Sequence, residues 1–388
     1  MTEYPKIKIL FRHRSMEMGG VEKVMLSMLN NLNPDLFDMT VCLNLNQGEL
    51  RNEFPKHVRK VYLTEGKEDF SKNMLFQKIQ LFKRQKKLEK LKKNPEIIDK
   101  EYLKETYDIE IAMTYNDFES VLNSSNTRSK KMGWFHSEIN LPKLQPLVPA
   151  ILENFPKFDH MIYCSAKIQK IMHEEYPNLS YPKESVVINA IPIEEIKKKS
   201  EEKIMDFPIS PVFVSVGRLH TRKGYRKLME AHARLLTEGF DHSVLIIGDG
   251  EELPHLLAQQ KKLGVENSFQ FLGNKMNPYP YIKNADFFIM PSESEAWPLV
   301  IAEALILQKP IIATKVGDVE SMIKDRKTGF LIAYTVEAIY HAMKEFITNE
   351  KLVSEIKENL QNIDDEFDNQ KIFDEVEQII LNLHKGQS

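Results

Sequence analysis

Two glutamates in the second half of the chain lie on either side of a predicted helix start. Residues 291–305 read P-S-E-S-E-A-W-P-L-V-I-A-E-A-L, which places Glu295 and Glu303 eight residues apart. Glu295 is predicted in a loop after a buried strand, where a carboxylate can reach the hydroxyls of a sugar. Glu303 is predicted inside the helix that begins near Pro298, where it can hold a second polyol such as a ribose. Between them, the first N–H groups of that helix can bind a phosphate anion.

A second loop carries two cations. Residues 212–217 form an apolar run that ends in a glycine and predicts a buried strand and a turn. Arg218 and Lys223 follow, and a helical pattern begins directly after them. Two cations beside a helix N-terminus suit a diphosphate, particularly one that gains charge as a leaving group. An Arg and a Lys in a loop are more often merely solvated, but the glutamates downstream favour the binding interpretation.

Other glycines of the second half give weaker signals. Gly248 and Gly250 resemble the opening of a dinucleotide fingerprint, but Leu253 stands where its third glycine belongs, which argues against a nicotinamide dehydrogenase. Gly273 and Asn274 follow another predicted strand. Their main-chain groups can recognise the edge of a base, although an ordinary turn explains them equally well.

Length and composition bound the class of protein. A chain of 388 residues suits two domains, and no stretch of 18 residues lacks charge, so a spanning helix is not expected. The first residues lack the long apolar region of a signal peptide. Cys42 and Cys164 lie in apolar runs and are predicted to be buried thiols of a cytoplasmic protein, not a disulfide or a metal site. A net charge of −3 does not indicate a nucleic-acid partner.

Strands and helices are predicted to alternate twice along the chain, which implies parallel sheets covered on both faces. The segment 192–211 is rich in Lys, Glu and Pro and is predicted to be a linker. The predicted strands are 7–11, 39–45, 109–114, 131–135, 160–164 and 185–188 in the first half, and 212–217, 243–248, 269–272, 287–291, 310–313 and 329–332 in the second.

A basic segment lies in the first half. Residues 78–93 carry eight Lys or Arg against one acid, Glu89. Leu75, Ile79 and Phe82 recur at helical spacing, so a helix that reaches Lys93 has an apolar stripe beside its bases. Two interpretations are equally supported: a solvated helix on its own domain, or an interfacial helix attracted to anionic lipid.

Taken in order, these elements resemble the GT4-type retaining glycosyltransferases (glycosyl transferases group 1). The resemblance rests on the E-x7-E element, the G-R-x4-K-G stretch from Gly217, and the G-D-G, F-L-G and T-x-V-G-D-V-E elements that occur in the family's order. In the first half it rests on short elements at Gly19-Gly20-Val21-Glu22, Trp134-Phe135-His136-Ser137, Tyr163-Cys164-Ser165 and Asn189-Ala190-Ile191-Pro192.

This resemblance implies an α/β GT-B fold, with two Rossmann-like domains whose parallel sheets face each other across a cleft. Residues 1–191 would form the acceptor domain, and 192–211 the linker. Residues 212–365 would form the nucleotide-sugar domain. Residues 366–388 would form a helix that packs back towards the N-terminal domain.

The resemblance also implies site residues. Arg218 and Lys223 would bind the donor diphosphate, Glu303 the ribose, and Glu295 the hydroxyls of the transferred sugar. His136 would approach that sugar from the first domain, an interpretation favoured over a core histidine. His136, Glu295, Arg218 and Lys223 are the expected catalytic residues. The remaining donor-binding candidates are Gly19, Gly20, Gly217, Gly273, Asn274, Ala296, Trp297, Pro298, Leu299 and Val300; for Gly19 and Gly20, a flexible turn is the alternative.

The implied activity is transfer of a sugar, with retention, from a nucleotide-sugar to a hydroxyl of a surface glycan, a glycolipid or a protein-linked acceptor. A UDP-sugar is expected on family grounds. No cofactor and no metal are expected, because Arg218 and Lys223 can replace a metal at the diphosphate. The expected location is cytoplasmic, peripheral on the inner face of the membrane if residues 75–93 bind lipid. The alternatives are a non-catalytic GT-B partner of another transferase and a sugar-nucleotide epimerase.

Overall fold

The computed structural model describes residues 5–208, 211–295, 297–361, 363 and 367–386. The chain divides into two compact units. Unit 1 contains the residues up to Ala190 and those from Asn369 onward, and unit 2 is Ile191–Asp368.

Unit 1 is built on a sheet of seven parallel strands. The strands are β1 (Ile7–His13), β2 (Phe37–Asn46), β3 (Arg59–Glu65), β4 (Ile109–Ala112), β5 (Lys130–Phe135), β6 (His160–Tyr163) and β7 (Lys183–Val186). Their order in the sheet is β3-β2-β1-β4-β5-β6-β7. The helices are α1 (Gly20–Asn31), α2 (Met74–Lys93), α3 (Pro95–Ile97), α4 (Phe118–Leu122), α5 (Val148–Asn154) and α6 (Ala166–Glu175), and a π-helical stretch, Ile98–Leu103, follows α3.

Strand β3 is absent from the sequence prediction. It reads R-K-V-Y-L-T-E and pairs with β2 at the edge of the sheet. Only Leu63 and Thr64 of its residues are buried. An edge strand that is largely exposed lacks the apolar run by which buried parallel strands are recognised, so the signal was missing from the sequence.

Unit 2 has a second, six-stranded parallel sheet. Its strands are β8 (Val212–Val216), β9 (Ser243–Ile247), β10 (Phe269–Phe271), β11 (Phe287–Met290), β12 (Ile311–Thr314) and β13 (Gly329–Ile332), in the order β10-β9-β8-β11-β12-β13. The helices are α7 (Ile193–Ser200), α8 (Tyr225–Thr237), α9 (Leu253–Leu263), α10 (Tyr279–Asn284), α11 (Leu299–Ile306), α12 (Val319–Met322), α13 (Val336–Thr348) and α14 (Glu350–Asn359). Every residue of β11 and β12 is buried, because helices cover both faces of these central strands.

Both units have the strand order of a Rossmann fold. In each sheet the order reverses beside its first strand, at β1/β4 in unit 1 and at β8/β11 in unit 2. Ligands of open parallel sheets bind outside the carboxyl ends of the strands at such a switch point. The loops that follow these four strands are therefore where binding residues are expected.

The segment 192–211 is not a separate linker over its whole length. It contains helix α7, which packs against α10 and α11 inside unit 2, with Ile196 fully buried. The chain also returns to unit 1 at its end, where α15 (Asn369–His384) buries Phe373, Val376 and Ile380. There, the amide of Asn33 donates a hydrogen bond of 2.7 Å to Glu377.

No helix in the described part of the chain is both long and apolar enough to cross a membrane.

Candidate functional site

Of the residues predicted to bind the donor in unit 2, the two cations and Glu295 lie on the two loops at its switch point. Gly217, Arg218 and Lys223 follow β8, and Glu295 follows β11. The two strands are neighbours in the sheet, with Phe213 beside Phe287, so their carboxyl ends share one edge. The amide of Glu293 donates a hydrogen bond of 2.7 Å to the carbonyl of Arg222 and ties the two loops together.

Lys223 and Glu295 form an ion pair. The Lys223 Nζ lies 2.5 Å from Glu295 Oε1, and the hydroxyl of Ser292 donates to the same oxygen at 2.7 Å. Both side chains are largely buried, with exposures of 14% and 11%. Lys223 ends a short 3₁₀ turn, and Gly224 follows at φ +72° as the N-cap of α8. A side chain at Gly224 would overlap the carbonyl of Pro291, so only glycine lets the two loops approach this closely.

Arg218 differs from Lys223 because it lacks a counter-charge. Its side chain is exposed, and none of the carboxylates in the described residues lies within ion-pair range of it. A free guanidinium next to a neutralised lysine is available for an anion that arrives from solvent.

Glu303 is held inside helix α11. Its exposure is only 3%, and it accepts a hydrogen bond of 3.2 Å from the hydroxyl of Tyr279 on α10. Burial raises the pKa of Tyr279, and the negative charge of Glu303 raises it further, so the phenol remains a donor. A buried carboxylate oriented by a tyrosine is suited to accept hydrogen bonds from vicinal hydroxyls.

The glycine-containing loops that follow β8, β9 and β10 are joined by backbone hydrogen bonds. The amide of Leu219 donates to Asp249 at 2.9 Å, and that of Gly248 donates to Gly273 at 3.0 Å. The loops after β8, β9 and β10 are thus connected in a row. Gly273 and Asn274 lie at the β10 end of it, and Asn274 is exposed.

Helix α11 begins at Leu299, as the sequence predicts to within one residue, and Pro298 is its N-cap. Leu299 and Val300 therefore carry the first helical amides, which have no partner within the helix. Trp297 is buried. Ala296 lies outside the described residues.

The glycines predicted in unit 1 lie beside a buried charged cluster that the sequence did not reveal. Gly19 is the N-cap of α1, and Gly20 is its first residue. At the end of β1, His13 Nδ1 lies 3.1 Å from Asp117, and His13 Nε2 lies 3.3 Å from Glu22. Burial lowers the pKa of His13, but hydrogen bonds to Asp117 and Glu22 outweigh it and raise the pKa to about 10.

His136 follows β5 in the same unit. Its ring stacks on Trp134, with 5.9 Å between centroids, and its Nε2 is buried without a hydrogen-bond partner among the described residues. Burial and, to a smaller extent, the positive charge of His13 together lower the pKa of His136 to about 3. His136 is therefore a neutral imidazole at physiological pH, a state in which it can donate or accept one hydrogen bond.

A known protein family matches the part of the chain that carries Lys223 and Glu295. The family model for glycosyl transferases group 1 matches residues 195–363.

Two curated relatives each match about half of the chain. A stretch of 199 residues is 31% identical to the N-acetylgalactosamine-N,N'-diacetylbacillosaminyl-diphospho-undecaprenol 4-alpha-N-acetylgalactosaminyltransferase of Campylobacter jejuni, covering 50% of this chain and 53% of the relative. A stretch of 188 residues is 27% identical to the UDP-Gal:alpha-D-GlcNAc-diphosphoundecaprenol alpha-1,3-galactosyltransferase of Escherichia coli, covering 46% and 48%. The matches span about half the length of these relatives.

A solved structure is similar over nearly the whole chain. The structure of Anabaena HepE in complex with UDP-glucose matches with a TM-score of 0.72 at 18% identity, and the match covers 97% of this chain and 100% of HepE. The GT-B fold predicted from the sequence is confirmed.

The matched stretch, residues 195–363, contains Arg218, Lys223, Glu295 and Glu303, and unit 1 contains Gly19, Gly20 and His136. Ser292 and Tyr279, which contact the two glutamates, were not predicted. Ser292 had a signal, since it lies three residues before Glu295 in the same motif, whereas Tyr279 lies on a different helix. Among the described residues, no group of three His, Cys, Asp or Glu side chains is placed to hold a metal ion.

Proposed function

We propose that the protein is a GT4-type retaining glycosyltransferase that moves a sugar from a UDP-sugar to a hydroxyl of a glycan, glycolipid or protein-linked acceptor. The observation that carries this proposal is the Lys223–Glu295 pair beside the unpaired Arg218, at the switch point of unit 2 and within the stretch that the group 1 family model matches. It supplies cations for a diphosphate and a carboxylate for a sugar within one site.

The proposed roles follow from the positions of the charges. Arg218 and Lys223 bind the donor diphosphate and stabilise the charge that develops on it as the bond to the anomeric carbon breaks. Glu295 accepts hydrogen bonds from the sugar and keeps Lys223 in place from the other side. Glu303 accepts hydrogen bonds from the ribose.

In the proposed reaction, the acceptor hydroxyl attacks the anomeric carbon from the face that the diphosphate leaves. A diphosphate oxygen takes the hydroxyl proton, so that nucleoside diphosphate is released as the new glycosidic bond forms. Neither glutamate acts as a covalent nucleophile. The protein contributes positioning and electrostatic stabilisation, and no metal or cofactor takes part. We assign His136 to contact with the transferred sugar.

The choice of donor and acceptor has independent support. HepE, which has the same fold, binds UDP-glucose. The names of the Campylobacter jejuni and Escherichia coli relatives describe transfer to sugars on a lipid diphosphate. We therefore place the protein on the cytoplasmic face of a membrane, and helix α2 supplies the contact surface because Leu75 and Phe76 are 67% and 60% exposed next to its bases.

The test is incubation of the protein with a panel of UDP-sugars, with and without a membrane extract. The proposal predicts transfer that depends on the extract, with the anomeric configuration of the donor retained in the product, as read from its NMR coupling constant. Inversion of that configuration would contradict the mechanism. An epimerised free UDP-sugar would indicate an epimerase, and no turnover with any donor would indicate a non-catalytic partner.

A further inference from the structure

Unit 1 contains a cavity that none of the predicted site residues lines. Its volume is about 720 Å³, within the range of ligand-binding pockets. It lies between helix α2 and the carboxyl ends of β1, β2 and β3. Its apolar wall is made by Leu45, Leu63, Leu81, Leu88, Leu91 and Ile98.

Much of this wall belongs to the core of unit 1. Leu63, Leu91 and Ile98 are part of one buried cluster, and Leu88 packs against it. Most of the wall is therefore part of the buried core of unit 1, and Leu81 of α2, which is 36% exposed, forms its outer part. Such a wall suits a hydrocarbon chain.

A buried arginine faces this apolar space. Arg12, near the end of β1, lines the cavity and is only 2% exposed. Its Nε is buried without a hydrogen-bond partner, and no carboxylate among the described residues pairs with its guanidinium. A buried charge without a partner carries a large desolvation penalty, which an anionic ligand would offset.

Two more guanidinium groups line the cavity. Arg14 is exposed, and Arg84 of α2 donates a hydrogen bond of 3.2 Å to Gln47. Partial burial lowers the pKa of Arg84; the negative charge of Glu68 opposes this effect, and the positive charge of Arg14 adds to it, so Arg14 and Arg84 are close enough to repel each other.

Another basic residue of the lining, Lys92, already has a partner. Lys92 is already neutralised by Glu119, at 2.8 Å. In all, five Lys and Arg side chains line the cavity against two carboxylates. Glu68 acts on Arg84, so the positive charge that no carboxylate of the described residues pairs with lies at Arg12 and Arg14, which favours an anion at that place.

We propose that this cavity binds the lipid phosphate of the acceptor: a phosphate or diphosphate lies against Arg12 and Arg14, and the apolar chain joined to it lies along the leucine wall. This assignment rests on the proposed transferase function and narrows its acceptor to a lipid-linked one. Leu75 and Phe76, at the start of α2, are exposed apolar side chains, beside which the rest of a long chain can remain in a bilayer.

Farnesyl diphosphate is a suitable probe because it joins a short isoprenoid chain to a diphosphate. Its binding to the full chain is measured by calorimetry below its micelle concentration, beside farnesol and inorganic diphosphate. We expect farnesyl diphosphate to bind at least tenfold more tightly than either part alone. Equal affinity for inorganic diphosphate would overturn the proposal, because the chain would then contribute nothing.

Three variants locate the site. Arg12→Gln is expected to weaken binding of farnesyl diphosphate at least tenfold, and Arg14→Gln, on an exposed side chain that folding does not require, several-fold. Lys90→Gln removes an exposed base of α2 that does not line the cavity and is expected to leave binding unchanged. If Arg12→Gln does not fold, Arg14→Gln decides. An affinity for the probe that falls equally in Lys90→Gln, or in no variant, would overturn the proposal.

Titration of UDP into the same samples separates this inference from the proposed function. UDP binding together with no binding of farnesyl diphosphate would refute the cavity assignment and leave the transferase proposal standing. Farnesyl diphosphate binding without any UDP binding would support a lipid-phosphate site in the cavity and would contradict the transferase proposal.

Discussion

At the scale of single residues, the unexpected contact is the ion pair between Lys223 and Glu295. The sequence predicts both residues at the donor but assigns them to different parts of it, the diphosphate and the sugar. They are 72 positions apart, and only the pairing of β8 with β11 brings them together. Glu303 was predictable because its motif is local, whereas the tyrosine that orients it comes from another helix.

Removal of either cation at the diphosphate is expected to slow transfer. Arg218→Ala and Lys223→Ala should each cost about 2–4 kcal/mol of transition-state stabilisation, roughly 30- to 900-fold in kcat/KM, since each removes one group that stabilises developing charge. Steady-state kinetics with a saturating acceptor measure the loss.

The matched control is Arg226→Ala. Arg226 lies just beyond Lys223 but pairs with Glu252 and has no assigned part in the site. Its kcat/KM should stay within about twofold of the wild-type value. The melting temperature of the Arg218 variant should not change, because that side chain is exposed. Full turnover of either site variant at saturating donor would show that its residue does not act on the diphosphate.

At the scale of elements, the apolar pattern of the sequence predicted most of the sheet strands. It did not predict a strand whose residues are only partly buried. Twelve predicted strands correspond to strands of the structure, and the thirteenth, β3, was missed because its sequence, R-K-V-Y-L-T-E, contains no continuous apolar run of buried residues. Helix α2 occupies Met74–Lys93, in agreement with the pattern. The cavity beside α2 was not predictable, because Arg12 and the wall residues come together only through the fold of five separate segments of the chain.

The surface of α2 is expected to bind anionic vesicles. Changing Lys83, Lys86, Lys87 and Lys90 to Gln should abolish this binding, because each base near such a surface contributes about 1 kcal/mol. These four side chains are exposed and do not line the cavity, so binding of farnesyl diphosphate should persist. Vesicle sedimentation measures the effect.

Salt distinguishes the two interpretations of α2. Electrostatic binding should weaken as salt rises, since the Debye length falls from about 10 Å at 0.1 M to about 3 Å at 1 M. Vesicle binding that does not change with salt, or that persists after the four substitutions, would support the interpretation of α2 as a solvated helix.

At the scale of the whole molecule, both Rossmann units were predictable because alternation of strands and helices is a long-range pattern with many repeats. The contacts between buried polar side chains inside these units were not predictable from the sequence. In unit 2, His232 and His242 are buried and share a hydrogen bond of 2.8 Å. Burial lowers the pKa of His232 to about 3, with a smaller effect of its neighbour, and burial also lowers the pKa of His242.

These histidines predict that unit 2 loses stability in mild acid. Below the unfolded pKa of about 6.5, the unfolded chain binds protons that the native state does not, so the stability is present above pH 6.5 and falls towards pH 3. Each group contributes up to about 1.4 kcal/mol per pH unit. The raised pKa of His13 also affects stability, but it does so in unit 1, where this stabilisation is lost only as the pH rises above 6.5. Urea unfolding followed by Trp297 fluorescence in a Trp134→Phe background, at pH 7.5 and 5.0, reports on unit 2.

His232→Gln should reduce the difference in unfolding free energy between the two pH values, although it lowers stability at both. His255→Gln, on an exposed position of α9, is the matched control and should leave that difference unchanged. An unchanged difference in His232→Gln would refute the assignment of the pH effect to this pair.

The most direct test of the donor site is calorimetric titration of UDP into the wild-type protein, Glu303→Ala and Glu295→Ala. The wild-type protein should bind UDP. Glu303→Ala should weaken binding at least tenfold, because the ribose loses the carboxylate that accepts its hydroxyls. Glu295→Ala should keep nearly full affinity for UDP while transfer falls, because its partner is the sugar and its loss leaves Lys223 free for the diphosphate. No binding of UDP to the wild-type protein, or equal losses in the two variants, would contradict the account.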